Sequence, residues 1–157
     1  MMKSINPATN KVEKEYRSDT AQIVLEKLAK AEKAFHNWKK TDFSYRAKLM
    51  NNAARILRNK SQQFAGLMTT EMGKLISSGK AEAEKCAWVC EYYADKAAEF
   101  LHDEPIESDA GKSYVAYQPL GTVLAVMPWN FPFWQVFRFA APALCAGNTG
   151  LLKHASN

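Results

Sequence analysis

Apolar residues recur at steps of three and four through most of the first hundred positions of the chain. This spacing places apolar side chains on one side of a helix, so it predicts a series of amphipathic helices. Capping residues and breakers divide the series into four. The predicted helices begin at Ser18 or Asp19, near Ser44, near Ser61 and near Ser78, and the last two end at Met72-Gly73 and Leu101. Their apolar faces are expected to hold Val24, Leu28, Ala31, Phe35 and Trp38 in the first; Leu49, Ala53 and Ile56 beside Lys60 in the second; Phe64, Leu67 and Met68 in the third; and Cys86, Cys90, Tyr93, Ala97 and Phe100 in the fourth.

Strand signals replace the helical period in the last third of the chain. Residues 105–118 combine a polar turn with an alternating apolar run, which predicts a β-hairpin. The apolar run 122–127 lacks alternation, as is typical of a parallel strand covered on both faces. A helix over 133–146 and a second strand over 149–153 complete a βαβ unit with a right-handed crossover. The sequence therefore predicts an α/β fold.

The loop after the first parallel strand carries the most informative side chain. Pro128 and Pro132 enclose Trp129, Asn130 and Phe131 at the carboxyl end of that strand. Ligands of parallel sheets bind at such ends, and two prolines stiffen the loop, so the amide of Asn130 is suited to stabilise an oxyanion. The alternatives are structural: asparagine is also a good N-cap for the following helix, and aromatic residues beside a core strand are often simply core.

Five motifs occur in order along the chain: Asn6-Pro7-Ala8-Thr9, Thr70-Glu71-Met72-Gly73-Lys74, Pro119-Leu120-Gly121, Pro128-Trp129-Asn130-Phe131-Pro132, and Gly147-Asn148-Thr149 leading into Leu151-Leu152-Lys153. They resemble the NAD(P)-dependent aldehyde dehydrogenases. Trp134-Gln135-Val136, Arg138 and the run Leu151 to Ala155 further resemble bacterial succinate-semialdehyde dehydrogenases. The resemblance implies the amino-terminal part of an aldehyde-dehydrogenase-like fold. Its parts are expected to be the helical part of the cofactor-binding domain at 1–104, a β-hairpin of the oligomerisation region at 105–119, and the first βαβ unit of an incomplete Rossmann-like NAD(P)-binding sheet at 120–157.

The resemblance also implies roles for individual residues. Asn130 is expected to be the side-chain half of an oxyanion hole. Family members that prefer NAD often carry a glutamate where this chain has Ser156, so NADP is expected to be tolerated, because no carboxylate repels its 2′-phosphate. The cofactor, NADP or NAD, is expected to contact Met127, Pro128, Trp129, Lys153 and Ser156, and the aldehyde substrate to contact Phe131, Trp134 and Arg138.

Two basic residues of this set also have structural explanations. Arg138 lies in an otherwise apolar helix, where a guanidinium is costly unless it faces a partner or a cavity. In the resembled enzymes the matching arginine receives the far carboxylate of the substrate; the structural alternative is a salt bridge to an acid in the carboxyl-terminal part of the family's length that is absent here. Lys153 matches a lysine that binds the adenosine ribose, and it could instead be an exposed lysine at a strand end. Glu71 and Lys74 belong to a family signature and are expected to pack at a helix end.

Composition and charge narrow the possible partners. The 157 residues carry a formal charge of +5 and are 47% hydrophobic, which indicates a globular chain. Basic residues are concentrated in the first 60 positions, but they alternate with acids, so a solvated face is favoured over a nucleic-acid surface. Residues 120–152 contain a single charge, yet prolines and Asn130 interrupt them, so no membrane span is expected.

The three cysteines have no metal-ligand spacing, and no apolar leader opens the chain. A reduced, cytoplasmic protein without a metal site is therefore expected. Cys86 and Cys90 share one helix face, and Cys145 lies close to Gly147. All three are expected to pack as small apolar residues, and none falls where the nucleophile of the resembled family falls.

Members of the resembled family are several times longer than this chain. Their nucleophilic cysteine, general-base glutamate and pyrophosphate-binding turn have no counterpart here, so the chain alone is expected to be inactive and at best partly folded or self-associated. The alternatives are a fragment that pairs with a separate carboxyl-terminal half, and a non-catalytic remnant. In the full-length family the hairpin joins a neighbouring subunit, so a homo-oligomer is expected, although an ordinary surface hairpin would have the same pattern.

Overall fold

The computed structural model of the chain describes residues 2–155. Helix α4 lies at the centre of these residues and packs against α2, α3 and α5, while α1 and α5 pack on the parallel pair β5–β6. The elements in chain order are β1 (Met2–Ile5), β2 (Val12–Tyr16), α1 (Ala21–Trp38), α2 (Phe43–Asn59), α3 (Ser61–Met72), α4 (Ile76–Phe100), β3 (Glu104–Pro105), β4 (Tyr114–Val115), β5 (Thr122–Val126), α5 (Trp134–Cys145) and β6 (Thr149–Lys153).

The four predicted amino-terminal helices are present, but two of them begin at residues other than those expected. Helix α1 is capped by Thr20, whose Oγ1 accepts a hydrogen bond from the Ile23 amide at 3.3 Å. Helix α2 is capped by Asp42, whose Oδ1 accepts from the Tyr45 amide at 2.7 Å. Several capping residues stand side by side in both places, so composition alone does not identify the one that caps. The predicted end of α3 is confirmed, because Gly73 takes the left-handed conformation with φ of 71°.

Helix α2 buries a different face from the one predicted. Met50, Ala54 and Leu57 are buried in the core with α4 and α5, whereas Leu49 and Ile56 are 39% and 47% exposed. The predicted face is therefore displaced by one residue. The helix carries two adjacent apolar stripes with the same spacing, and the small buried residues of α4 decide which of them enters the core. Those residues are Ala83, Cys86, Ala87 and Cys90.

Four more predicted core positions are about half exposed, namely Val24, Leu28, Leu67 and Phe100. Residues 2–155 cover these side chains only in part. The predicted face of α1 is buried only towards its carboxyl end, where the indole Nε1 of Trp38 donates to the Leu144 carbonyl at 3.0 Å.

The predicted βαβ unit is confirmed as a parallel pair, in which Thr122 lies opposite Thr149 and Val126 opposite Lys153. Asn148 joins the starts of both strands, because its Oδ1 accepts from the amides of Leu120 and Gly121 at 2.7 and 3.1 Å. The β3–β4 pair confirms the predicted hairpin, although each of its strands has only two residues. The sequence did not predict that β1 and β2 also pair, antiparallel.

One face of the parallel pair is covered only in part within residues 2–155, by α1 at the Thr122–Thr149 end. Ala125 is buried, but Leu124 and Val126 on the opposite face are 65% and 62% exposed. Within residues 2–155, no helix is both long enough and apolar enough to cross a membrane.

Candidate active site

The carboxyl edge of the parallel pair brings two predicted cofactor residues together. The backbone amide of Met127 donates to the carbonyl of Lys153 at 3.1 Å, so both residues lie where β5 and β6 end. The Lys153 side chain is exposed at this edge. Ser156 is also predicted at this edge, where a serine in place of glutamate leaves room for a 2′-phosphate. It lies outside the described residues.

The loop that follows Met127 presents its side chains to the surface. Pro128 and Asn130 are exposed, and Trp129 and Phe131 are 46% and 44% exposed. Within residues 2–155, the structure gives the side-chain amide of Asn130 no hydrogen bond. The amide that the sequence singled out therefore stands on an open surface beside the strand edge.

Helix α5 is capped by an acid from a distant helix and not by Asn130. Its N-cap position is occupied by Phe133, which makes no side-chain capping bond. The amides of Phe133 and Trp134 both donate to Oε1 of Glu82 in α4, each at 2.9 Å. The alternative interpretation of Asn130 as an N-cap is therefore wrong, because Glu82 already supplies the acceptor that an N-cap would supply.

Lys74 connects Glu82 to the loop. Its ammonium forms an ion pair with Oε2 of Glu82 and donates to the backbone carbonyl of Asn130 at 3.2 Å. It also lies 4.1 Å from the centre of the Phe131 ring, a cation–π contact. The sequence assigned Lys74 only to helix-end packing and did not select Glu82 at all. A signal was present, since Glu82 lies one helical turn before Cys86 on the predicted apolar face of α4.

The predicted substrate residues Trp134 and Arg138 lie on consecutive turns of α5. Trp134 is half-buried, and the ammonium of Lys85 lies 4.1 Å from the centre of its indole. Arg138 is exposed and forms no ion pair with any residue in the described part of the chain. The cation that contacts Trp134 is therefore Lys85, which the sequence had not identified.

The three cysteines are packed in the core, as predicted. Burial raises the pKa of the Cys86 and Cys90 thiols to about 12. Burial also raises the pKa of Cys145, against an opposing effect of the nearby Arg46 charge. A nucleophilic cysteine needs an accessible thiol whose pKa is lowered, so none of these three is suited to that role.

A parallel strand pair joined by a crossover helix, with a loop bearing Asn130 and a lysine at its carboxyl edge, is the arrangement with which a Rossmann-like sheet begins. The chain belongs to the aldehyde dehydrogenase family, whose family model matches residues 1–157. This is a family of oxidoreductases, and the match confirms the resemblance carried by the five motifs.

Among its relatives, the probable NADP⁺-dependent succinate-semialdehyde dehydrogenase of Synechocystis sp. is 53% identical over 154 residues. The NADP⁺-dependent succinate-semialdehyde dehydrogenase of Mycobacterium leprae is 53% identical over 157 residues. Each comparison covers 98% of this chain but only 34% of the relative, so the chain spans about a third of the length of these enzymes. The succinic semialdehyde dehydrogenase structure from Streptococcus pyogenes, solved with NADP⁺, matches with a TM-score of 0.92 and 40% identity, over 98% of this chain and 34% of that one.

Proposed function

We propose that these residues form the amino-terminal part of an NADP-dependent aldehyde dehydrogenase that oxidises succinate semialdehyde to succinate. The observation that carries the proposal is the exposed amide of Asn130, on a loop anchored by Lys74 at the carboxyl edge of a parallel sheet. The names of the relatives, given above, supply the substrate and the cofactor for this proposal.

Asn130 has one chemical task in this proposal. Attack of a thiolate on the aldehyde carbon turns the carbonyl oxygen into an oxyanion, and the Nδ2–H of Asn130 donates a hydrogen bond to that oxygen. One such donor is worth roughly 2.7 to 4 kcal/mol of transition-state stabilisation. The thiolate does not come from Cys86, Cys90 or Cys145, because all three are buried in the core.

The carboxyl edge of β5 and β6 fits a dinucleotide. Lys153 presents an ammonium there, and an ammonium is a suitable donor to ribose hydroxyls. Met127, Pro128 and Trp129 adjoin the same edge and would contact the nucleotide. Ser156 introduces no carboxylate against a 2′-phosphate, which favours NADP or leaves both forms acceptable. When bound, the cofactor accepts the hydride of the aldehyde.

Arg138 would select for the acid group of the substrate, as a planar guanidinium binds a carboxylate through two hydrogen bonds. It lies one turn after Trp134, which together with Phe131 would wall the aldehyde site. Within residues 2–155 Arg138 forms no ion pair, so the described part of the chain leaves its guanidinium available for a carboxylate. The alternative, a salt bridge to an acid in the carboxyl-terminal two thirds of a full-length relative, predicts no preference for a substrate that carries a carboxylate.

The division at 1–104, 105–119 and 120–157 is part of the proposal. Ile106, Tyr114 and Val115 in and beside the hairpin are 51%, 48% and 44% exposed. An apolar hairpin with an open edge favours pairing with another subunit, so we propose that the hairpin contributes to a homo-oligomer.

The test uses a completed polypeptide, in which residues 1–157 are followed by the carboxyl-terminal two thirds of the Synechocystis relative. We expect it to reduce NADP in the presence of succinate semialdehyde. Asn130→Ala should lower kcat by about 10² to 10³, because the lost donor acts mainly in the transition state. Asn51→Ala, at an exposed asparagine of α2, is the matched control and should leave kcat unchanged. A completed polypeptide that folds but oxidises no aldehyde would contradict the proposed function.

A further inference from the structure

Asn130 is held in place by residues that belong to other parts of the chain. We propose that Glu82 and Lys74 are positioning residues, which fix the backbone of Asn130 so that its amide meets the aldehyde oxygen. The proposal deepens the proposed function and rests on it, since it assumes that Asn130 is the oxyanion donor.

Glu82 fixes the carboxyl-terminal side of the loop. Its side chain is only 2% exposed, and Oε1 accepts both of the first free amides of α5, from Phe133 and Trp134. Amides at a helix start carry partial positive charge, so a carboxylate is a favourable acceptor for them. Because Glu82 lies on the central helix α4, it sets the position at which α5 begins relative to the helical core.

Lys74 fixes the middle of the loop. Its side chain is 11% exposed, and its ammonium contacts three groups: the second oxygen of Glu82, the carbonyl of Asn130 at 3.2 Å and the Phe131 ring at 4.1 Å. The contact to Asn130 is made to the backbone, so it holds the residue while leaving its side-chain amide exposed. Lys74 comes directly after Gly73, whose left-handed turn ends α3.

The loop needs this external support because it can make few backbone bonds of its own. Pro128 and Pro132 have no amide hydrogen, which removes two of the donors that would otherwise tie the loop to its neighbours. Glu82 and Lys74 together supply three hydrogen bonds to the backbone at and after Asn130, namely one to its carbonyl and two from the amides of Phe133 and Trp134. Catalysis by a fixed donor depends on geometry, and a displacement of about 1 Å can cost about 10²-fold in rate.

A double-mutant cycle on the completed polypeptide tests the proposal. Glu82→Ala should lower kcat by about 10- to 100-fold with KM for succinate semialdehyde within about twofold, because the lost geometry matters in the transition state. In the Asn130→Ala background the same change should lower kcat by less than about threefold, because the positioned group is already absent. Equal losses in the two backgrounds would show that Glu82 does not act through Asn130, and would overturn the proposal.

Amide hydrogen exchange gives a second reading that does not depend on activity. In Glu82→Ala, the peptide containing Phe133 and Trp134 should exchange at least about tenfold faster, because both amides lose their acceptor. Glu82→Gln keeps a side-chain oxygen for these amides, so it should restore slow exchange and part of kcat. Unchanged exchange in Glu82→Ala would overturn the positioning role.

Two control variants separate this effect from general loss of charge. Glu84→Ala removes an exposed acid from the same helix, and Lys80→Met removes an exposed lysine near its start. Both should leave kcat and the exchange of residues 133–134 unchanged. Lys74→Met should lower kcat as Glu82→Ala does, because it removes the contact to the Asn130 carbonyl. If the unmutated polypeptide is inactive, the proposed function fails and the inference fails with it. If the unmutated polypeptide is active and Glu82→Ala and Lys74→Met behave like the two control variants, only the inference fails.

Discussion

Asn130 and Arg138 show what a single side chain can and cannot reveal before a structure is known. Both were selected because they are polar in apolar surroundings, where a polar group needs a reason. The structure places both on the surface and gives neither an acidic or capping partner within residues 2–155. A group that is exposed and unused by the rest of the described chain is available for a ligand. Substrate choice can therefore be tested by substituting that single side chain.

We expect Arg138→Gln, in the completed polypeptide, to raise KM for succinate semialdehyde by about tenfold or more while changing KM for butanal by less than about twofold. The reason is that only the first substrate carries a carboxylate for the guanidinium to bind. Steady-state kinetics with both aldehydes measure the difference. Arg55→Gln, at an exposed arginine of α2, is the control. Equal effects on the two aldehydes would contradict a role in carboxylate recognition.

The core thiols give a second prediction at this scale. Burial raises the pKa of Cys86 and Cys90 to about 12, so both stay protonated at pH 8, and burial also hinders access to them. Iodoacetamide should therefore leave Cys86, Cys90 and Cys145 unmodified in the folded completed polypeptide and modify them after denaturation. Peptide mapping by mass spectrometry identifies the sites. Rapid alkylation of Cys145 in the native state would contradict its assignment as packing.

At the scale of elements, the existence and type of helices could be predicted because they depend on local spacing. The face of α2 that enters the core could not be predicted, because the two apolar stripes of this helix differ only in the partner surface that each one meets. The capping of α5 could not be predicted either. Glu82 and Phe133 are 51 positions apart, and nothing local in the sequence relates an acid in one helix to the start of another.

The contact between α3 and α4 depends on the absence of a side chain at Gly79. A Cβ at that position would lie 2.8 Å from the Ala65 Cα and 2.9 Å from its Cβ, so the two helices would have to separate. Overpacking of this kind costs about 1 to 3 kcal/mol, and the better helix propensity of alanine returns at most about 1. We therefore expect Gly79→Ala to lower the thermal midpoint of the completed polypeptide.

Gly66→Ala is the matched control for that experiment. Gly66 also lies in a helix, but a Cβ added there would meet no atom within 4 Å apart from its own stretch of helix backbone. It should keep or raise the midpoint, by the gain in helix propensity alone. If Gly79→Ala were as stable as Gly66→Ala, the close approach of the two helices would not be required by the fold.

The whole molecule keeps apolar surface that residues 2–155 leave uncovered. Leu124 and Val126 are more than half exposed on one face of the two-stranded sheet and Leu152 on the other, and Val24 and Leu28 are exposed on α1. Apolar patches of this kind mark surfaces that associate. The parallel pair itself was predictable from two uninterrupted apolar strands. Because such runs are typical of strands covered on both faces, the sequence also indicated that two strands alone would leave apolar surface exposed.

Residues 1–157 expressed alone should consequently bind an apolar fluorescent dye and self-associate at micromolar concentration, and the completed polypeptide should do neither. Dye fluorescence and sedimentation velocity measure the two effects. The double variant Leu124→Gln, Val126→Thr should weaken both in the short chain, because it removes apolar area from the open face. A monodisperse monomer without dye binding would contradict the prediction.

The contacts of α1 also determine when different parts of the chain can fold during synthesis. Helices α2, α3 and α4 are consecutive and can pack as soon as they leave the ribosome. Helix α1 docks through Trp38 on Leu144 and through the Ala31 carbonyl on Thr149, which are 106 and 118 positions away. At a synthesis rate of about 5 to 20 residues per second, α1 waits about 5 to 24 s for these partners. During that interval the apolar face of α1 stays accessible to chaperones and proteases, although α1 is synthesised before α2, α3 and α4.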